Sequence, residues 1–164
     1  MGSTMEKFLL LVVSLFVIGC ATQPSHTQHL SQNRFKKGQT LTIKTTAYTH
    51  SEKGGGRNAL GHRLSNCAER SASADWAQFP LGTKFRILQT GDVYRVDDYG
   101  SALIHKRAID LYKPTRTSMR SWGVRYVDIQ ILEWGSPEKS LEVLLPRSRN
   151  PHVRAMINDL REEI

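Results

Sequence analysis

Hydrophobic and polar residues alternate along several short stretches of the chain, and this period of two predicts β-strands. The clearest stretch is residues 40–49, which is also rich in β-branched residues. Further strands are predicted at residues 71–74, 84–88, 93–96, 108–112 and 126–132. Because turns separate them instead of long helical periods, the pattern favours an all-β barrel or sandwich over a parallel α/β sheet.

Two short helices are predicted after the fifth strand. Residues 115–122 precede Gly123, a residue suited to a left-handed helix C-cap. The second helix follows Pro151, where apolar residues recur on one helical face: Val153, Met156, Ile157, Leu160 and Ile164. We expect this apolar stripe to dock on the domain, with docking of a protein partner as the alternative.

An apolar run at residues 8–19 follows Lys7. It is short for a permanent membrane span, so it predicts a secretory signal peptide at residues 1–19. The run ends in Val-Ile-Gly-Cys, which resembles a bacterial lipobox. Cys20 is therefore expected to carry lipid and to anchor an exported protein in a bacterial membrane, the periplasmic face of the outer membrane in a Gram-negative cell. The alternative is a plain signal peptide with a chance cysteine.

Beyond the signal peptide the chain divides into three parts. These are a polar tether at residues 20–38, one domain at residues 39–136, and a C-terminal extension at residues 137–164. Cys67 is the only other cysteine, so lipid on Cys20 leaves no pair for an intramolecular disulfide. We interpret Cys67 as structural or incidental, since no base or metal-ligand cluster lies near it in sequence.

The net charge of +8 predicts attraction to polyanions. For an exported protein these are phospholipid head groups and the carboxylate-bearing cell-wall polymer, and no nucleic acid is expected as a partner. A solvated basic surface is the alternative. The glycine-rich residues 52–58 lack the strand-to-helix context of a phosphate-binding loop, so they predict a flexible rim loop.

Three aspartates occur where strands meet turns. Asp75 precedes the Pro-Leu-Gly-Thr turn at residues 80–83, Asp98 opens a turn, and Asp110 lies inside an apolar strand. An ionisable residue in such a strand is buried with partners or held in a cleft, where desolvation and neighbouring charges raise its pKa. A carboxyl group that stays protonated near neutral pH is the general acid that glycosidic-bond cleavage requires.

Residues 46–134 resemble the three-aspartate (3D) domain, a six-stranded double-psi β-barrel found in membrane-bound lytic transglycosylases of type A and in related cell-wall-active proteins. The family's three name-giving aspartates match Asp75, Asp98 and Asp110. The resemblance depends on ordered motifs: Thr-Ala-Tyr-Thr at 46–49, Ala-Asp at 74–75, Pro-Leu-Gly-Thr at 80–83, Asp-Tyr-Gly-Ser-Ala at 98–102, Arg-Ala-Ile-Asp-Leu-Tyr at 107–112 and Trp-Gly-Val-Arg-Tyr-Val at 122–127.

The resemblance implies a peptidoglycan lytic transglycosylase. Asp110 would protonate the oxygen between N-acetylmuramic acid and N-acetylglucosamine, and would then act as base on the muramic 6-hydroxyl, leaving a 1,6-anhydro end. Asp98 and Asp75 would adjust the pKa of Asp110 and position sugar hydroxyls. The implied reaction needs no metal and no cofactor. Candidate substrate contacts within or beside the motifs are Tyr48, Thr83, Ser101, His105 and Lys106.

Two structural alternatives concern the aspartates. In the first, Asp75 and Asp98 cap turns, and Asp110 pairs with Arg107 or Arg125. In the second, the residue before Asp98 in the chain, another aspartate, takes the place of Asp98 in the site.

Two functional alternatives also remain. One is a non-catalytic peptidoglycan-binding lipoprotein of the rare-lipoprotein-A or expansin-like type, which shares the barrel. The Asp-Tyr-Gly-Ser turn at residues 98–101 stands where that branch has Asp-Arg-Gly-Pro. The other is a scaffold lipoprotein that uses its C-terminal helix to bind a protein partner.

Overall fold

Six β-strands form the sheet of this computed structural model, which describes residues 36–52 and 56–162. They close into a barrel in the order β1-β5-β2-β4-β3-β6. The predicted mainly β, six-stranded barrel is confirmed. The predicted signal peptide and Cys20 lie outside the described residues. The strands are β1 (Thr40–Tyr48), β2 (Arg70–Ala74), β3 (Lys84–Ile87), β4 (Val93–Asp98), β5 (Ala108–Tyr112) and β6 (Arg125–Glu133).

The strand pairing has an internal two-fold order. Strand β1 pairs in parallel with β5 and antiparallel with β6, while β4 pairs in parallel with β2 and antiparallel with β3. The antiparallel pairs β2–β5 and β3–β6 join the two sets. Strands β1–β3 and β4–β6 are therefore equivalent halves, as a double-psi barrel requires, although no repeat is visible in the sequence.

Alternate residues of each strand point into the barrel and form its core. These side chains are at most 4 % exposed, and burying each contributes about 1.5–3 kcal/mol for the larger aliphatic and aromatic ones. The alternation that predicted the strands is therefore the pattern that closes the barrel. The inward set includes Ile43, Phe85, Tyr94, Val96, Ile109, Leu111, Val127, Ile129 and Ile131.

Three α-helices accompany the barrel, one more than the sequence predicted. They are α1 (Arg116–Trp122), α2 (Pro137–Leu144) and α3 (Pro151–Glu162). The unpredicted helix α2 has an ordinary start signal, since the Ser136 hydroxyl accepts a hydrogen bond from the Lys139 N–H and a proline occupies the first turn. Its eight residues were too few to give a clear helical period.

Helices α2 and α3 pack on the barrel. The apolar stripe of α3 is buried in one core cluster with Trp76 and Phe79 of the loop after β2, which confirms its predicted docking on the domain. The Leu81 N–H also donates to the Ser140 hydroxyl of α2 at 2.9 Å. Ile164, the last residue of the predicted stripe, lies outside the described residues. In the part of the chain that is described, none of the helices has the length and apolar character needed to span a membrane.

Candidate functional site

Four polar residues form a row across adjacent strands on the outer face of the barrel. Thr46 of β1 is opposite Asp110 of β5, Asp110 is opposite Ser73 of β2, and Ser73 is opposite Asp98 of β4. Side chains opposite each other on neighbouring strands share a face. The two aspartates therefore flank Ser73, with their Cα atoms roughly 10 Å apart, two strand spacings.

A β-bulge decides which aspartate joins this row. The pairing of β2 with β4 steps from Ala72–Val96 to Ser73–Asp98, so Asp97 is an extra residue without a partner in the ladder. Its carboxylate turns away and accepts hydrogen bonds from the Asn58 amide at 2.8 Å and the Ser71 hydroxyl at 2.7 Å. Asp98, and not the aspartate before it, faces the site.

The row opens into a cleft of about 460 Å³, within the range of roughly 300–1,000 Å³ that is typical of small-molecule sites. The described residues at both ends of the predicted rim loop line it, and residues 53–55 of that loop lie outside the description. Aromatic, charged and amide groups all contribute to the lining: Tyr48, Glu52, Arg57, Asn58, Ala59, Ser73, Asp98, Tyr99, Gly100 and Asp110.

Among the described residues, one side-chain hydrogen bond holds Asp110. The Thr46 hydroxyl donates to its Oδ1 at 2.7 Å. Burial raises the pKa of Asp110, the Thr46 hydrogen bond opposes that rise, and the negative charge of Glu52 adds to it. Within the described residues, neither arginine of the structural alternative pairs with Asp110. Arg107 lines a different hollow, and Arg125 donates to the Trp122 carbonyl and stacks on the indole, with its Cζ 4.3 Å from the ring centroid.

Asp98 has the more strongly shifted carboxyl group. Burial raises the pKa of Asp98 to about 6, and the neighbouring charge of Asp97 contributes to the rise. A hydrogen bond from the Tyr99 N–H at 2.9 Å and the positive charge of Arg147 act in the opposite direction. Asp98 therefore caps its own turn, as the structural alternative expected, and also presents a partly protonated carboxyl group to the cleft.

Tyr48 stands beside these carboxylates. Its hydroxyl oxygen is buried and has no hydrogen-bond partner among the described residues. Burial raises the pKa of Tyr48, and the charges of Asp98, Asp97 and Asp110 raise it further. The phenol is therefore neutral, and its buried O–H is a donor without an acceptor among the described residues.

Asp75 does not line the cleft. It is 1 % exposed, and its carboxylate accepts hydrogen bonds from the Ala77 N–H at 3.0 Å and the His105 N–H at 2.8 Å. His105 has a φ of 58°, a conformation that costs a non-glycine residue about 1–3 kcal/mol and persists only when neighbours hold it. Asp75 thus fixes the loop that leads from Gly100 in the cleft to β5.

The other predicted substrate contacts lie outside the described lining of the cleft. Thr83 is completely buried, donating to the Pro80 carbonyl at 2.7 Å and accepting from the Gly135 N–H at 3.0 Å, so its hydroxyl stabilises the turn. His105 is exposed, and its Nε2 lies 3.0 Å from the Asp159 carboxylate of α3. The two remaining residues, Ser101 and Lys106, are exposed on the loop after Gly100.

The C-terminal extension contributes a residue that sequence reasoning missed. Arg147, just after α2, donates to the Ala59 carbonyl at 2.8 Å and to the Tyr99 hydroxyl at 3.4 Å. Both acceptors belong to residues that line the cleft. Ser73, Asn58 and Tyr99 were also missed. Only the strand register identifies Ser73, and nothing in the sequence marks Arg147 as a neighbour of residues so far away in the chain.

No protein-family model matches the chain. Two curated proteins of Bacillus subtilis (strain 168) are similar to part of it. A putative cell wall shaping protein, YabE, is 34 % identical over 105 residues, which are 63 % of this chain and 25 % of that protein. The cell wall-binding protein YocH is 29 % identical over 102 residues, 61 % of this chain and 35 % of that protein. The chain therefore matches a quarter to about a third of the length of these relatives.

Proposed function

We propose that this chain is an exported protein that binds the glycan strand of peptidoglycan in its cleft and cleaves it. The names of both relatives support the cell-wall role. The observation that carries the cleavage proposal is the row of Asp110, Ser73 and Asp98, in which two carboxyl groups with raised pKa flank the small side chain of Ser73 and both line the cleft. We further propose that the barrel is a three-aspartate domain. Anchoring through Cys20, on whichever membrane, remains a prediction.

The lining of the cleft suits a sugar polymer. Tyr48 and Tyr99 offer aromatic surface and hydroxyl groups, while Asn58, Ser73 and Arg57 offer donors and acceptors for sugar hydroxyls and amides. The positive net charge favours a polymer that bears carboxylates. A cleft on the outer face of the barrel also leaves room for a chain longer than the segment it holds.

The proposed chemistry is lytic and uses Asp110 as acid and then as base. Protonated Asp110 gives its proton to the bridging oxygen as the bond between that oxygen and the muramic anomeric carbon breaks. The resulting carboxylate takes the proton of the muramic 6-hydroxyl, whose oxygen bonds to the anomeric carbon. The products are a 1,6-anhydro end and a free N-acetylglucosamine hydroxyl, so no water is consumed. Asp98 and Tyr48 position sugar hydroxyls across from Asp110.

Hydrolysis and binding without cleavage are the two alternatives to lytic cleavage. If water attacks, Asp98 is the base, since it is the other carboxyl group that lines the cleft and an inverting hydrolase needs a second carboxylate to activate water. If the cleft binds without cutting, the chain is a cell-wall-binding protein, and the name of the relative YocH favours this second candidate function.

The test separates binding from cleavage. The full chain in detergent is mixed with purified peptidoglycan, and both the sedimented protein and the soluble glycan fragments are measured. We expect wild type to sediment and to release fragments, and Asp110→Asn to sediment without releasing them. Asp128→Asn is the matched control, because Asp128 also accepts from a β1 threonine, Thr42, but lies outside the cleft lining. If wild type sediments with peptidoglycan but releases no glycan fragments, the result supports binding without cleavage. If wild type does not sediment, both the cleavage and the binding proposals are refuted.

A further inference from the structure

A second hollow lies beside the cleft. Its volume is about 410 Å³, and it is formed by the segment from His62 to Ser71 together with Arg95 and Asp97 of β4. Asn58 lines both this hollow and the cleft, so the two are neighbours that share this residue as a wall. The Asn58 amide donates to the Asp97 carboxylate, which fixes Asn58 as the boundary between them.

The charges of this hollow leave one guanidinium group unpaired. Arg70 pairs with Asp92 at 2.5 Å, Arg95 forms an ion pair with Glu69, and the Asp97 carboxylate accepts hydrogen bonds from Asn58 and Ser71. Arg63 is exposed and has no ion pair or hydrogen bond to any described residue. A free guanidinium group at the side of a concave surface is suited to binding a carboxylate through two parallel hydrogen bonds.

We propose that this hollow binds a carboxylate of the peptide stem whose sugar occupies the cleft, with Arg63 as its partner. The inference rests on the proposed function, because the stem is attached to the muramic acid that the cleft would hold. The contact itself is exposed and weak. Tethering makes it effective, because a stem joined to a bound sugar reaches the hollow at an effective concentration in the millimolar range.

The same tether favours a stem carboxylate over the phosphate of another wall polymer. A phosphate group on a separate polymer has no raised effective concentration when a sugar occupies the cleft. The stem does, because it is covalently joined to that sugar. The hollow therefore gives the protein a way to distinguish glycan that still carries peptide from glycan whose peptide has been removed.

The first experiment compares two ligands by calorimetry in the Asp110→Asn background, so that neither is cut. One is the disaccharide with its tetrapeptide stem, and the other is the same disaccharide without peptide. We expect the stem to tighten binding about threefold to fivefold. Arg63→Gln should abolish that gain and leave the affinity for the bare disaccharide unchanged. Arg86→Gln, at an exposed arginine of β3, should leave both affinities unchanged.

Cys67 supplies a second readout, since it lines the hollow and its thiol is free and exposed. Its alkylation is followed by mass spectrometry of the peptide that contains it. The stem-bearing disaccharide should slow alkylation at concentrations where the bare disaccharide does not. Equal protection by inorganic phosphate would instead show a general anion site, and unchanged binding of stem-bearing ligand to Arg63→Gln would overturn the proposal.

A free tetrapeptide separates failure of this inference from failure of the proposed function. If neither disaccharide binds but the free tetrapeptide protects Cys67, the cleft assignment is wrong and the hollow stands. If the bare disaccharide binds and the stem adds no affinity, the hollow assignment is wrong and the cleft stands. If no ligand binds or protects, both are wrong.

Discussion

Asp98 and Asp110 are both register partners of Ser73, although their own strands, β4 and β5, do not pair with each other. One small residue on the strand between them therefore sets the spacing of the two carboxyl groups. Gly100 lies over this position, since a Cβ added to it would be 3.6 Å from the Ser73 hydroxyl. The barrel itself, and not a loop, holds the two acids at a fixed separation, as acid–base chemistry requires.

Loss of the Thr46 hydroxyl should shift the pH dependence of cleavage. Thr46→Val keeps the branched shape but removes the hydrogen bond that favours the ionised form of Asp110, so the pKa of Asp110 rises further. Because Asp110 must start protonated, the alkaline limb of the pH profile for fragment release should move to higher pH.

Thr42→Val is the control for that experiment. Thr42 lies on the same strand and donates to Asp128 at 2.6 Å, so the substitution removes an equivalent hydrogen bond outside the cleft lining. Its profile should match wild type. An alkaline limb that stays in place or moves to lower pH in Thr46→Val would contradict the role of Asp110 as the acid.

Asp98 should lower the stability of the protein at neutral pH. Its folded-state pKa of about 6 exceeds the ordinary 3.8, so the native state holds this proton more tightly than the unfolded state does. The stability that Asp98 contributes is present below the unfolded pKa and is lost as pH rises through the folded pKa. Asp98→Asn removes this loss, so its free energy of unfolding should exceed that of wild type by about 1–2 kcal/mol at pH 7, after allowance for solvent screening.

Urea denaturation at pH 7 and at pH 3.5 measures this difference. The stabilisation by Asp98→Asn should largely disappear at the lower value, where wild type is protonated at this position too. An equal gain at both values would mean that the amide stabilises the turn for another reason and that the pKa of Asp98 is not raised.

The positive charge of Arg147 should limit the rise in the pKa of Asp98. Arg147→Met removes the contacts to the Ala59 carbonyl and the Tyr99 hydroxyl together with the nearby positive charge. The pKa of Asp98, followed by carbon-13 NMR of its carboxyl group, should rise above the wild-type value. Arg147→Lys keeps the positive charge, so it should prevent most of this rise. In Arg149→Met, a change at an exposed arginine, the pKa of Asp98 should match wild type.

That measurement needs no substrate, so it reports on Arg147 whatever the cleft binds. The other charged and titratable residues near Asp98 are the same in the Arg147 and Arg149 variants, so they do not cause a difference in its pKa. These residues are Asp97, Asp110, Tyr48, Glu52, Arg57 and Tyr99. An Asp98 titration that is the same in Arg147→Met and wild type would refute the positioning role.

Asp75 should matter for stability and loop order. Asp75→Ala leaves the buried Ala77 N–H and the partly buried His105 N–H without their acceptor, so the free energy of unfolding should fall by about 2–4 kcal/mol. Amide exchange at His105 should accelerate at the same time. Undiminished stability and exchange protection, combined with lost cleavage, would place Asp75 in the chemistry instead.

The strands were predictable because each is a short run of alternating residues. Strand β5 was predicted with the bounds that the structure shows, and β6 within one residue at each end. Helix α2 was missed, since eight residues give little more than two turns of periodicity. Local pattern was therefore sufficient for the strands, which were compatible with a barrel or a sandwich, and insufficient for helix α2; the six-stranded barrel was predicted from the family resemblance.

The candidate site was less predictable than the strands. The sequence favoured Asp98 but left Asp97 open as the alternative, because the choice depends on a bulge in the pairing with β2. The sequence also placed Thr83 among the substrate contacts. A sequence motif identifies the residue type at a position, but it does not show whether the side chain faces a cleft or stabilises a turn. Arg147 depends on packing between distant segments, which no local pattern contains.

The chemical identity of the released glycan ends distinguishes lytic cleavage by Asp110 from hydrolysis. Soluble fragments from peptidoglycan treated with the full chain are identified by mass spectrometry, with Asp110→Asn beside wild type. We expect 1,6-anhydro-muramic ends from wild type and none from the Asp110→Asn reaction. Reducing ends, or anhydro ends that persist without the Asp110 carboxyl group, would contradict this expectation.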